Sequence, residues 1–366
     1  MEQNKVLLLR SLDIVTDSRV QRYETWFEYH QVPYHIVGWD REGKELTREH
    51  TSYYDLVAGY HQRAGGIKNR IKWNIFLMKY LFKSRHSYEI IHACDFDTIM
   101  PALMMKLWGK KVIFDIFDWF SDEVKTGKAV IDKPINCIEK LATKCADLTI
   151  ICEQERLSQM KVIPRRFIVI PNIPQIEPVK ESIGIQKLEE SLHIAYVGGF
   201  YPERGIETLL EVVSHNPHIT LEIAGFGEKD IEDMAKSYSK TYENIHYLGK
   251  VSYNKALEIM KNNDMIYAMY YRDNPNHIYA APNKFYESIY LQKPIITTKG
   301  TLVGSKVEKH QTGYTIEEGY EALELLLTSL RKDGNYQKKL DALKEAQQYC
   351  QDAKESGMLA YRNFIK

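Results

Sequence analysis

The sequence predicts an α/β chain of two doubly wound, Rossmann-like domains, on three observations. At 366 residues it is long for one hydrophobic core and comfortable for two. Short apolar runs alternate with helical stretches in two successive series, the pattern of parallel strands joined by crossover helices. Between the series, residues 175–192 are polar and charged with weak apolar periodicity, as in a linker.

In order, the first series predicts strands at Val6 to Leu9, Tyr34 to Gly38, Leu56 to Ala58, Ile90 to His92, Val112 to Asp115, Leu148 to Cys152 and Phe167 to Ile170, the last ended by Pro171-Asn172-Ile173-Pro174. The second predicts His193 to Val197, Thr220 to Ala224, Ile245 to Leu248, Met265 to Ala268, Pro294 to Thr297 and Thr312 to Ile316. A last helical stretch runs from about Gln337 to Ile365. The expected division is a first domain over 1–174, the linker, a second domain over 193–344 and a closing helix over 345–366. In such proteins the ligand sits beyond the C-terminal ends of the strands, here in a cleft where the domains face each other.

Composition narrows the classes. Lys+Arg and Asp+Glu both number 49, a balance that argues against a general nucleic-acid binder. Five cysteines, none in a Cys-x-x-Cys pair, fit a reducing, cytoplasmic compartment. The start Met-Glu-Gln-Asn-Lys carries no basic leader with a long apolar core, and no later run is apolar enough to span a membrane.

The chemistry concentrates at Pro282 to Ile296, which reads as a turn, a short helix and a buried strand. Pro282 fixes a backbone dihedral ahead of Asn283, a good N-cap, and Pro294 stops the helix. A helix N-terminus presents unpaired N–H groups that can hold phosphate; Lys284 can answer phosphate charge, and Glu287 can take both hydroxyls of a ribose. The alternative is that Glu287 is simply a carboxylate favoured near a helix start. Upstream, Tyr196-Val197-Gly198-Gly199-Phe200-Tyr201-Pro202-Glu203-Arg204-Gly205 runs from a strand through a glycine turn into a helix, a geometry that lets backbone approach phosphate.

The segment Pro-Asn-Lys-x-x-Glu-x5-Lys-Pro resembles the C-terminal signature of family 4 retaining glycosyltransferases of GT-B architecture. The resemblance implies that Glu287 binds the nucleotide ribose. Tyr279 stands where the family has a first glutamate, facing the donor sugar. The glycine turn is similar to the family's Val-Gly-Arg-Leu-x-Pro-Glu-Lys-Gly, with Gly199 in place of the arginine and Arg204 aligned with the lysine of the diphosphate clamp; Lys284 is the expected replacement for the lost charge. Ala224-Gly225-Phe226-Gly227 and Leu248-Gly249-Lys250-Val251 follow in the family's order, and Val251 is expected near the base. Donor-binding candidates are therefore Gly198, Gly199, Gly225, Val251, Tyr279, Pro282, Asn283 and Glu287. By the same resemblance, the closing helix returns to the first domain, and no metal or other cofactor is implied.

The first domain resembles the family more loosely. Asp17-Ser18-Arg19-Val20 is similar to an Asp-x-Arg-Val facing donor and acceptor, or else Asp17 is a helix cap. Asp95 and Asp97 form one Asp-x-Asp, read as donor-side or acceptor-side lining rather than a metal pair, with Asp97 as N-cap of a helix around Pro101 to Trp108. His92, with no His or Asp at metal-ligand spacing, reads as a strand-end or core histidine. In Asp115-Ile116-Phe117-Asp118-Trp119, Phe117 replaces a family histidine, and Asp118 either contacts sugar or acceptor or caps the next helix.

Finally, Gly65 to His86 carries Ile67, Ile71, Ile75, Met78 and Phe82 on one helical face beside a stripe of Lys68, Lys72, Lys79 and Lys83. The alternatives are peripheral contact with an anionic membrane, on its inner face, and a crossover helix packed on the sheet with a solvated lysine edge. The expectation is thus a metal-independent retaining transferase, of hexosyltransferase type, with Arg204, Lys284 and Asp118 as catalytic candidates and Asp17, Arg19 and Asp95 on the acceptor side. It would use a UDP- or GDP-sugar donor and a glycan or lipid-linked acceptor in surface polysaccharide or glycoconjugate assembly. A GT-B epimerase or hydrolase, or a non-catalytic nucleotide-sugar binder, is the alternative.

Overall fold

The computed structural model describes residues 4–58, 66–176, 191–330 and 335–366. Most of the expected linker, and the Gly65 end of the lysine-striped helix, lie outside them. Two compact units emerge: Met1–Pro171 with Ala353–Lys366, and Asn172–Asp352.

The first unit runs β1 (Asn4–Leu9), α1 (Ser18–Tyr29), β2 (Tyr34–Trp39), β3 (Thr51–Tyr54), α2 (Gly66–Lys83), β4 (Tyr88–Cys94), α3 (Phe96–Met104), β5 (Lys111–Ile116), α4 (Phe120–Glu123), α5 (Ala129–Cys145), β6 (Leu148–Ile151), α6 (Arg156–Met160) and β7 (Phe167–Val169). Its strands are parallel, in the order β3-β2-β1-β4-β5-β6-β7. Alternation along β1 sends Leu7 and Leu9 to one face, under Trp73, Leu77 and Leu81 of α2, Ile99 of α3 and Ala142 of α5. Val6 and Leu8 go to the other face, with Val20, Tyr23 and Phe27 of α1 and with Met358, Tyr361 and Ile365 from the end of the chain.

The second unit runs β8 (Leu192–Phe200), α7 (Ile206–Ser214), β9 (Ile219–Gly227), α8 (Lys229–Thr241), β10 (Ile245–Gly249), α9 (Tyr253–Asn262), β11 (Met265–Tyr267), α10 (Pro275–Ile278), α11 (Asn283–Leu291), β12 (Ile295–Thr298), α12 (Leu302–His310), β13 (Gly313–Ile316), α13 (Tyr320–Leu330) and the start of α14 (Tyr336–Ile365), whose residues from Ala353 on belong to the first unit. Its parallel sheet is ordered β10-β9-β8-β11-β12-β13. The first half of α14 adds Leu340, Leu343, Ala346 and Cys350 to this unit's core.

Several local expectations are corrected. The third strand is Thr51–Tyr54, not Leu56 to Ala58. As the half-buried sheet edge it carries no apolar run to betray it, while the apolar residues after it lie in an irregular segment whose Leu56 carbonyl accepts from the Trp39 indole at 2.7 Å. On α2 the buried face is Trp73, Leu77 and Leu81, and Ile71, Ile75, Met78 and Phe82, which the crossover-helix alternative would pack on the sheet, are exposed. Asp97 is not an N-cap: α3 begins at Phe96, and Asp97 is buried in its first turn. The N-cap of α11 is Pro282, without a side-chain capping bond, and Asn283 is the first helical residue.

Candidate functional site

Both sheets have a point where the strand order reverses, between β1 and β4 in the first unit and between β8 and β11 in the second. Ligands of open α/β sheets bind beyond the strand ends at such points.

In the second unit, β8 passes through Gly198 and Gly199 into a 3-10 turn, Pro202–Arg204, and Gly205 starts α7 at φ 63°. Glycine is required at Gly225, where a Cβ would stand 1.9 Å from the Gly198 carbonyl oxygen of the paired strand. At Gly199 a Cβ would stand 2.5 Å from the Tyr201 ring, so a tyrosine fills the space where a side chain would begin. Arg204 lies over the Tyr270 ring, 4.4 Å from its centroid, just past the end of β11. Burial and Glu287 push the Tyr270 hydroxyl up to about 12, with Arg204 opposing, which marks both charges as its neighbours.

The turn before α11 is pinned by Asn172, whose side-chain amide donates to the Ala281 carbonyl at 3.1 Å. One turn into α11, Glu287 is 1% exposed. One of its oxygens accepts from Lys284 at 2.5 Å and the other from the Tyr253 hydroxyl at 3.1 Å. A carboxylate offers about four lone-pair positions, so two remain for a ligand's hydroxyls. Burial and Glu287 together raise the Tyr253 hydroxyl, which stays a donor. The structure therefore brings Arg204, Tyr270, Glu287, Lys284 and Tyr253 together. Tyr279 closes α10 ahead of this turn, and Val251, after β10, is half-buried against a small apolar cluster with Ala256 and Ile259.

In the first unit the strand ends carry an ion-pair network. Arg10, one residue past β1, donates to Asp17 at 2.6 Å and to Asp95. Asp17 also caps α1, accepting from the Arg19 and Val20 backbone at 3.1 Å each. Burial alone would lower the Arg10 guanidinium, but Asp17 and Asp95 outweigh it and hold the group charged. Asp95, at φ 63°, accepts from the Phe117 backbone N–H at 2.9 Å, and burial pushes its carboxyl up to about 6 despite Arg10. Asp97 pairs with Arg70 and accepts from the Ser11 hydroxyl at 3.2 Å. Arg10 and Arg19 both lie over the Phe117 ring, at 4.2 and 4.4 Å. Arg19 reaches past it to Asp115.

His92 is wholly buried, as expected of a core histidine, but it does have an aspartate partner: Asp115 on the neighbouring strand at 3.2 Å, with the Tyr361 hydroxyl at 2.9 Å on its other nitrogen. Sequence spacing could not give a contact made across strands. Among the described residues, His92, Cys94 and Asp115 bring possible metal-ligand atoms within 4.8 Å of one another. Asp115 is already committed to Arg19, Tyr23 and His92, and burial pushes the Cys94 thiol up, away from the thiolate a metal would need. The group is a polar core network.

Asp118 is half-exposed and accepts from the buried Arg156 at 3.1 Å. It does not cap α4. The backbone N–H groups of Phe120 and Ser121 donate instead to Glu139 of α5, at 2.8 and 2.9 Å. Glu139→Ala is expected to lower stability by about 1–2 kcal/mol, the worth of a lost cap, in urea denaturation.

Sequence reasoning missed Arg10, Arg70, Tyr253 and Tyr270. Arg10 and Tyr270 had a usable signal, since Arg10 follows directly on β1 and Tyr270 comes three residues after β11, both strands that border a switch point. Arg70 and Tyr253 had none, because their partners are remote in sequence.

Residues 180–348 match the family described as Glycosyl transferases group 1. Over 100 residues the chain is 30% identical to an uncharacterized glycosyltransferase of Methanocaldococcus jannaschii, a match that spans 25% of this chain and 25% of that protein. Over 99% of both chains the fold superposes on sucrose-phosphate synthase from Thermosynechococcus elongatus, with a TM-score of 0.73 at 15% identity. It superposes equally widely, 99% of both chains, on the E. coli trehalose-6-phosphate structure bound with UDP-2-fluoro glucose, with a TM-score of 0.70 at 12% identity. The fold defines the class: a GT-B protein of two Rossmann-like sheets. The stretch that resembles the group 1 glycosyl transferases, residues 180–348, lies within the second unit.

Proposed function

We propose that the chain is a retaining hexosyltransferase that moves a sugar from a UDP- or GDP-sugar to a glycan or lipid-linked acceptor in surface polysaccharide or glycoconjugate assembly, working in the cytoplasm without a metal. The observation that carries this reading is the buried Glu287, held by Lys284 and Tyr253 beside Arg204 on Tyr270, at a helix N-terminus with no side-chain cap. Glu287 takes the ribose hydroxyls. Arg204, Lys284 and the α11 N-terminus neutralise the leaving diphosphate as the glycosidic bond breaks. The acceptor oxygen bonds to the anomeric carbon on the face the diphosphate leaves, and its proton passes to the departing phosphate. The UDP-2-fluoro glucose held by a structural neighbour of the same fold supports a uridine donor.

Glu287→Ala is expected to weaken UDP or GDP binding by about 1.5–3 kcal/mol, the worth of a hydrogen bond to a charged group, in titration calorimetry. Because Glu287 is buried, Glu287→Gln is measured beside it, and melting curves confirm that both variants fold. Undiminished nucleotide affinity in two folded variants sinks the ribose assignment. Nucleotide release from the donor that does not depend on added acceptor would overturn the transferase reading.

A further inference from the structure

We propose that the outer face of the α2, α3 and α5 layer of the first unit is a docking surface for an anionic lipid bilayer. On α2, Ile71, Ile75, Met78 and Phe82 are between 42% and 54% exposed, on a stripe about 130° around the helix from the residues that bury against the sheet. Packing on the sheet therefore leaves this stripe unpartnered. The lysines at 68, 72, 79 and 83 are all exposed along one edge of it, and α2 contains no Asp or Glu.

The pattern recurs on the two neighbouring helices. Past the end of α3, Leu107 is 81% and Trp108 45% exposed, and the Trp108 ring meets Phe82 edge-on at 5.5 Å, joining the two stripes. On α5, Val130, Ile138 and Leu141 are exposed on the side opposite the buried Glu139 and Thr143, with Lys133 and Lys144 exposed beside them. Three packed helices thus show apolar side chains outward on one layer, which soluble surfaces rarely do without a partner.

Charge selects the occupant. A second copy docked face to face would set lysines against lysines, whereas an anionic bilayer accepts the apolar stripes between headgroups and the lysines above them. Trp108 has the side chain favoured at that boundary. Among the described residues no helix is long and apolar enough to cross a membrane, so the contact is peripheral.

The test is co-sedimentation of the full chain with phosphatidylglycerol or phosphatidylcholine vesicles. The wild type is expected to bind phosphatidylglycerol at low salt and to be released by added salt. Each lysine near an anionic surface is worth about fivefold in partitioning, so replacing Lys68, Lys72, Lys79 and Lys83 by glutamine is expected to weaken binding on the order of several hundredfold. Ile75→Asp with Leu141→Asp should abolish it even at the lowest salt, and all these positions are exposed, so melting temperature should stay. As a direct readout, bromo-lipid should quench tryptophan fluorescence, an effect reduced in Trp108→Phe. Absence of wild-type binding to phosphatidylglycerol overturns the proposal. So does binding that neither variant reduces, or a wild-type dimer in sedimentation velocity that the aspartate pair dissolves.

Discussion

Asp115→Ala should destabilise the protein by about 3–5 kcal/mol, the cost of removing one partner from a buried ion pair. Asp115 is wholly buried and gathers three donors from two elements: the Arg19 guanidinium and the Tyr23 hydroxyl of α1, the latter at 2.8 Å, and the His92 ring of β4 at 3.2 Å. Without the carboxylate, a cation and two polar hydrogens lose their acceptor in a region closed to water. Burial alone would raise the Asp115 carboxyl, but Arg19, His92 and Tyr23 together hold it below its ordinary value of 3.8. The sign follows. The stabilisation is complete above that value and fades as pH falls through the lower folded one. Urea denaturation should therefore show a constant gap between wild type and variant from about pH 5 to 8, closing only in acid. A gap under about 1 kcal/mol near neutral pH would mean that the network contributes little.

The same residue shows where sequence reasoning stops. The β5 strand, and a polar stretch at its end, were legible from the apolar run Val112 to Phe114 and the aspartates after it. That Asp115 faces inward to Arg19 was not, because register decides it and register is a property of the assembled sheet. Lys284 and Glu287 were legible together, since three residues along a helix makes neighbours. The cap of α11 was misjudged because Asn283 has the right chemistry one residue too late, inside the helix that Pro282 begins. On α2, periodicity found an apolar stripe but not which of two faced the sheet. Trp73 and Leu77 win by volume and by the stack of Trp73 on Trp39 at 5.5 Å, and the more regular stripe is left outside.

Arg204→Ala should lower kcat/KM by about two to three orders of magnitude, the usual effect of deleting one group that stabilises developing negative charge. Its neighbourhood explains why one arginine carries so much. Gly199 supplies no side chain, and Tyr201 fills the space where one would begin. The other cation, Lys284, is held by Glu287 at 2.5 Å in the described state. On the function proposed above, a diphosphate arriving at the α11 N-terminus would compete for Lys284, which would then serve phosphate and release a Glu287 oxygen for ribose. Lys284→Ala should therefore remove most of the preference for nucleoside diphosphate over nucleoside and leave nucleoside affinity near that of the wild type. Arg204→Lys should recover only part of the rate, because an ammonium cannot reproduce the planar stacking on Tyr270. Both charges should act more strongly on kcat than on nucleoside binding, since charge on the leaving group grows toward the transition state. The measurements are kcat and KM for the three variants beside calorimetric affinities for nucleoside and diphosphate. Wild-type kinetics in Lys284→Ala with a loss confined to Arg204→Ala would leave a single-cation clamp, and wild-type kinetics in both would remove this cluster from the chemistry.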